Sequence, residues 1–206
     1  MVMAEATNHY FKHLGVSDGL SQVCIPSIYQ DELGAVWLGT TEGLNRYNGK
    51  DVKVFQPSES NHGLTNNEIN ELCGDKNGRM YIRSGNDLIK LDIYTEQFTC
   101  LRQKGVYGLF CKKDTLWVSC ADGIYYYTGQ GTELTFFARV QKGFVGRALY
   151  VDRETVWVVT RKYLVAISRE DPLRQEILLT LDKGNCILGD SSGNIWVGAW
   201  NGLYRV

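Results

Sequence analysis

The chain has 206 residues, with 22 basic and 23 acidic side chains giving a net charge of −1, so no global field gathers phosphate backbones or an anionic membrane. Apolar residues make up 44% and aromatics 12%, with 22 glycines and 3 prolines, which argues against disorder and suits short strands joined by tight turns. No stretch approaches the roughly 18 apolar residues of a membrane span, and the polar start through His9 lacks an apolar leader core. Nucleic-acid binding and membrane spanning by these residues are both disfavoured.

In chain order, Tyr10 to Leu14, followed by Gly19-Leu20, has the pattern of an outer, fourth strand. Ser27 to Gln30 reads as a first strand, Asp31 to Gly34 as its turn and Val36 to Thr40 as a second strand. Gly43 to Tyr47 and Val52 to Phe55 supply a third and a fourth. The segment Asp31-x-x-Gly34-x-x-Trp37-Leu38-Gly39 recurs near the end as Asp190-x-x-Gly193-x-x-Trp196-Val197-Gly198, with Gly43-Leu44 and Gly202-Leu203 after them. Between these copies, Asp75 and Gly78 precede Tyr81 in the aromatic slot, while Trp117 and Trp157 head two copies with a turn one residue shorter. The anchors Trp37, Tyr81, Trp117, Trp157 and Trp196 lie on average roughly 40 residues apart, a period at which propeller repeats live. Phe98 and Phe136 mark further fourth strands, and the chain ends on a third strand at Leu203 to Val206.

The turn chemistry has a physical cause, since an aspartate can accept from amides two residues on and glycine takes the positive φ that closes a hairpin. The second strand is apolar on consecutive positions, as in Val156-Trp157-Val158-Val159, so both its faces need covering. Four-stranded sheets stacked around an axis meet that need, each serving as a lid for its neighbour. The fold class is therefore all-β: a β-propeller of four-stranded antiparallel blades, with five repeats in a single domain or partial propeller over residues 1–206. Pairing of the two ends would close a five-bladed ring; the alternative is a fragment of a larger propeller. Cys24, Cys73, Cys100, Cys111, Cys120 and Cys186 form no Cys-x-x-Cys pair and read as buried free thiols.

Tyr10-x-x-x-Leu14 with Asp18-Gly19-Leu20-Ser21, and then Gln30-Asp31 through Trp37-Leu38-Gly39-Thr40 to Gly43-Leu44-Asn45-Arg46-Tyr47-Asn48-Gly49, resembles the start of the two-component regulator propeller repeats. Leu64-Thr65-Asn66-Asn67-Glu68-Ile69 is similar to that family's link between first and second blades. Such repeats form the extracytoplasmic sensor region of hybrid two-component systems of gut Bacteroidetes. The resemblance implies a periplasmic sensor region responding to oligosaccharides, with seven-bladed propellers and a histidine kinase elsewhere in the receptor. Five repeats against seven favours a fragment whose partners include further blades of the same protein, and leaves room for a homodimer of the full receptor.

Catalytic chemistry finds little support. His9, His13 and His62 lack metal-ligand spacing, the glycines punctuate hairpins rather than opening a phosphate-binding helix, and nothing requires a cofactor or a metal. The Asp-x-x-Gly-x-x-Trp turn is similar to the Asp-boxes of sialidase propellers, which are structural. In an up-and-down meander, the second-to-third loops and the fourth-to-first links emerge on one face. That face offers Thr41, Glu42, Asn86, Asp87, Asp122, Arg161, Lys162, Trp200 and Asn201, with Asn61, His62, Arg102, Lys104, Lys142 and Arg147 on the links. The ligand-binding candidates are Trp200, Asn201, Arg161, Lys162, Asp122, Asn86 and Asp87, because an exposed indole beside polar groups suits a sugar ring. The bland reading of Trp200 is packing against a neighbouring blade. Arg83, where other copies carry glycine, serine or valine, is expected in a buried structural pair or pointing into the channel. A protein-interaction scaffold is the competing reading of the whole, and a propeller lyase or glycosidase a third.

Overall fold

The computed structural model describes residues 12–58 and 63–206. The first sheet holds β1 (Ser27–Gln30), β2 (Val36–Thr40), β3 (Gly43–Tyr47) and β4 (Val52–Phe55), residue for residue the strands read from the pattern. The second holds β5 (Ile69–Gly74), β6 (Arg79–Ser84), β7 (Asp87–Asp92) and β8 (Gln97–Arg102). β9 (Val106–Lys112), β10 (Thr115–Cys120), β11 (Gly123–Tyr127) and β12 (Thr135–Ala138) form the third. The fourth comprises β13 (Gly146–Val151), β14 (Thr155–Thr160), β15 (Tyr163–Ser168) and β16 (Gln175–Thr180). A three-stranded fifth sheet consists of β17 (Cys186–Gly189), β18 (Ile195–Ala199) and β19 (Gly202–Arg205). Every sheet is an antiparallel meander, and the first strands β1, β5, β9, β13 and β17 pack side by side in sequence around the inner wall.

Each anchor aromatic faces the following sheet. Trp37 clusters with Leu72, Met80 and Ile82 of the second sheet, and Tyr81 with Leu109, Leu116 and Val118 of the third. Trp117 meets Leu149, Val156 and Val158 of the fourth, and Trp157 packs on Ile195 and Val197 of the fifth. The fifth anchor has no sheet beyond it among the described residues. Leu188, which pairs with Trp196, is 64% exposed, and Leu203 on the same face is 70% exposed. At the other end, Ile28 and Val54 of the first sheet are also exposed. The five sheets thus form an open arc whose last sheet has an uncovered apolar face, while the outer face of the first is exposed at Ile28 and Val54 but buried at Leu38 and Asn45, where Ser21 bonds to it.

The expected fourth strand at the start is not formed at Lys12–Leu14, while Tyr10 and Phe11 lie outside the described residues. The chain here is led onto the first blade instead. Lys12 Nζ donates to Tyr47 Oη at 2.9 Å, and the Ser21 amide donates to Asn45 Oδ1 at 2.9 Å, bringing Leu20 into the buried interior. No outer strand pairs with β19 among the described residues, so the described chain does not close by pairing its ends.

The repeat turn does more than close a hairpin. Asp31 accepts from the amides of Leu33 and Ala35 through one carboxylate oxygen and from the Trp37 indole N–H, at 2.7 Å, through the other. Asp190 does the same for Ser192, Asn194 and Trp196. In the second blade, where the anchor is Tyr81, Arg79 Nε supplies the missing donor to Asp75. Gly34, Gly78 and Gly193 share a φ of 84° to 85°, the left-handed geometry this turn demands. In the shorter turn of the fourth blade, Asp152 reaches the Trp157 indole at 2.6 Å from five residues away. The third blade has Lys112 at the corresponding place, and its ammonium donates to the Val151 carbonyl across the interface at 2.7 Å.

Two measurements test this scheme. Trp37 is fully buried, so Trp37→Ala is expected to cost about 3–5 kcal/mol in urea unfolding. The Trp196 indole and the side chain of Asn194 draw the Asp190 carboxyl down from 3.8 to about 2. A carboxyl depressed in the folded state contributes stability above its unfolded value and loses it as pH falls toward its folded one. Asp190→Asn should therefore flatten the fall in unfolding midpoint between about pH 4 and pH 2; an acid limb as steep as the parent's would contradict the role given to this turn.

Candidate functional site

The second-to-third loops and the fourth-to-first links lie on one face, bonded to one another through the backbone. Gly43 N donates to Asn67 O at 2.8 Å, Ala121 N to Gly105 O at 2.8 Å, Gly184 N to Arg161 O at 3.0 Å and Trp200 N to Asp182 O at 2.9 Å. These bonds seat the link 181–185 between the loop carrying Arg161 and the loop carrying Trp200. Lys183 lies at its centre, with φ of 50°, a left-handed conformation that is uncommon for a residue with a β-carbon. Lys104 and Lys142, at the equivalent links, adopt the same conformation, and each of the three lysines precedes a glycine.

Two adjoining cavities open on this face. One, of about 410 Å³, is lined by Arg147, Arg161, Lys183, Asn185, Cys186 and Trp200 among others. The second, of about 360 Å³, is lined by Tyr107, Phe144, Arg147, Arg161 and Lys162 with Val145 and Thr160. Both fall within the size range of small-molecule sites. Neither lining contains an aspartate or glutamate, and among the described residues Arg147, Arg161, Lys162 and Lys183 make no salt bridge. The Trp200 indole is 78% exposed, with Lys183 Nζ 4.7 Å from its ring centre, and it packs on no blade among the described residues. Phe144 is braced by Tyr163, ring centres 4.8 Å apart.

The remaining candidates divide. Asn201 is exposed beside Trp200, its amide donating to Tyr204 Oη at 2.8 Å. Asn86 lies on the wall of the central channel, a space of about 950 Å³ that also reaches Arg147. Asp87 and Asp122 are committed elsewhere. Asp87 accepts from the Lys104 amide at 2.6 Å, and Asp122 accepts from Arg102 at 2.8 Å and from Tyr125 Oη at 2.9 Å. Partial desolvation of Asp122 is outweighed by those two donors, which hold its carboxyl below the usual range. Arg83 lines the channel and pairs with Glu71 at 3.3 Å, both side chains remaining partly accessible rather than buried. Burial raises the Glu71 carboxyl even so, against the opposing pull of Arg83 and of the Leu109 amide that donates to it at 3.1 Å. Asn61 and His62 lie outside the described residues, as does His9.

Lys183, Tyr107 and Phe144 belong to the cavities without having been singled out in the sequence. The recurring Lys-Gly pair at 104–105, 142–143 and 183–184 is the signal that could have found Lys183. The six thiols are not uniformly buried either. Cys24 and Cys186 are exposed and only Cys120 is fully buried, because Cys24 precedes the first strand and Cys186 sits on the uncovered face of the fifth sheet.

Residues 19–42 match the two component regulator propeller family, the stretch that holds the first Asp-Gly-Trp turn. A histidine kinase of Formosa agariphila is 40% identical over 53 residues, 26% of this chain and 4% of the kinase. The extracellular domain of a hybrid two-component system from B. thetaiotaomicron superposes with a TM-score of 0.82 at 23% identity, over 94% of this chain and 30% of that one. A second such domain from the same organism gives 0.76 at 19% identity, over 97% and 32%. The chain thus carries the two-component regulator repeat on a propeller fold and spans about a third or less of the length of these relatives.

If Trp200 is an exposed platform rather than a packing residue, Trp200→Ala should leave the urea midpoint close to the parent's, within about 0.5 kcal/mol, in contrast to the buried Trp37. A loss of several kcal/mol would return this indole to the core.

Proposed function

We propose that this chain is part of the extracytoplasmic ligand-sensing propeller of a two-component receptor, and that its loop face takes an oligosaccharide carrying carboxylate or sulfate groups. The observation that carries the reading is the acid-free pair of adjoining cavities, in which Arg147, Arg161, Lys162 and Lys183 make no salt bridge and one of which is bordered by the exposed Trp200 ring. Guanidinium groups bind planar or tetrahedral anions through paired donors, and an indole face accepts the C–H face of a pyranose. Unpaired cations on a shared rim repel one another, and an anionic ligand relieves that repulsion. The similarity to extracellular domains of hybrid two-component systems supports a sensing role over a catalytic one. The commitment of Asp87 and Asp122 to structural bonds supports the same choice, since a lyase or glycosidase needs free acid and base groups at its cleft.

Isothermal titration tests this directly. An unsaturated uronic or sulfated disaccharide should release heat that Arg161→Ala and Trp200→Ala each reduce by at least about tenfold in affinity, and that weakens as salt is raised. Equal binding of a neutral disaccharide, or indifference to both substitutions, would refute it.

The exposed Leu188 and Leu203 on the uncovered face of the last sheet favour a second role, docking of further blades of a longer receptor. Amide exchange in β17–β19 should then be slower in the intact ectodomain than in this chain, and equal rates would remove the idea.

A further inference from the structure

The inner strand of each of the first four blades places one residue directly beside the anchor aromatic, aimed at the next blade. These are Tyr29 beside Trp37, Cys73 beside Tyr81, Phe110 beside Trp117 and Tyr150 beside Trp157. Three of the four are rings. The Tyr29 ring lies against Gly74 and the Tyr150 ring against Gly189, so closely that a β-carbon at either glycine would strike it. Phe110 meets Tyr150 edge-on with ring centres 5.2 Å apart. Between the second and third blades the ring is replaced by Cys73, whose Sγ lies 2.7 Å from Sγ of Cys111.

Both cysteines are half-buried residues packed against the cluster formed by Tyr81, Leu109 and Leu116. Strands β5 and β9 already run side by side there, so the sulfurs face each other across a fixed gap. A disulfide places its sulfurs about 2.0 Å apart, a distance that side-chain rotation can reach from this arrangement. No other pair of cysteine sulfurs is in contact among the described residues.

We propose that Cys73 and Cys111 form a cross-linking site, a disulfide that ties the second blade to the third. The inference is independent of any ligand. The oxidant is an external disulfide, RSSR. One cysteine thiolate attacks a sulfur of RSSR and expels RS⁻, and the second cysteine, once deprotonated, attacks the mixed disulfide and expels the other RS⁻. The protein loses two protons and two electrons, and the oxidant leaves as two RSH. Burial, with the neighbouring Cys111 thiol, pushes the Cys73 thiol well above its ordinary range, so exchange is slow near neutrality and quickens as pH rises.

The test is peptide mapping of the Cys24→Ser/Cys186→Ser variant, which lacks the two exposed thiols that could link separate molecules. The protein is incubated with oxidised glutathione at pH 8 to 9, denatured without reductant, alkylated and digested. The expected product is a peptide pair joining Cys73 to Cys111, formed faster at the higher pH, with a thermal midpoint roughly 5–10 °C above that of the dithiothreitol-treated protein. Recovery of both residues fully alkylated, or of Cys73 joined to Cys100 or Cys120, would overturn the proposal. Cys73→Ser should show neither the linkage nor the difference in midpoint; because the mapping is done on a chain with both cysteines intact, the result stands even if that variant folds poorly.

Discussion

A strand such as Val156-Trp157-Val158-Val159 is apolar on both faces and cannot be shielded within its own sheet, so its burial depends on the sheets before and after it. That dependence has a direction. Each anchor aromatic faces forward, and each following second strand supplies aliphatic side chains to receive it, as Ile82 receives Trp37 and Val158 receives Trp117. The arc propagates by nearest-neighbour contacts, in the manner of repeat proteins, and its two ends are necessarily its least covered parts. Leu188 and Leu203 at one end and Ile28 at the other are exposed for this reason and not because their blades are irregular.

The first blade was legible down to its strand boundaries, because glycine, aspartate and alternating apolar residues mark each corner. The role of aspartate was only half visible. Amide capping follows from spacing, but the bond to the indole depends on where the next strand brings the ring, and Asp152 makes it from a shorter turn that lacks the glycine signature. The outer strand read at the start of the chain, where an aromatic followed by Leu14 has the local pattern of one, is not formed at Lys12–Leu14. The bonds from Lys12 and Ser21 to the first blade are non-local and carry no local pattern.

The candidate site was legible to the extent that loop topology fixes which residues share a face. Trp200, Arg161 and Lys162 are brought together by the backbone bonds between link and loop. Asp87 and Asp122 share the face yet not the cavities, because each finds a donor one loop away before it can face outward. Sequence distinguishes a loop carboxylate from a core one. It does not reveal whether the Lys104 amide or the Arg102 guanidinium is near enough to claim it.

The two cavities straddle interfaces rather than sitting on one blade. Tyr107 comes from the third blade, Arg147 and Arg161 from the fourth and Trp200 from the fifth, while Lys183 lies on the link between the last two. A ligand held by these groups would contact three sheets held together by apolar packing and a few polar bonds, such as those from Lys112 to the Val151 carbonyl and from Gly184 N to the Arg161 carbonyl, and it can shift their relative placement only by binding one packing more tightly than another. Arg147 is the group best placed to transmit such a difference, since it borders both cavities and the central channel. The Cys73–Cys111 contact lies one interface further along, between the second and third blades. A bond there would make those two blades a single body and leave the interfaces on the side where the cations gather unlinked.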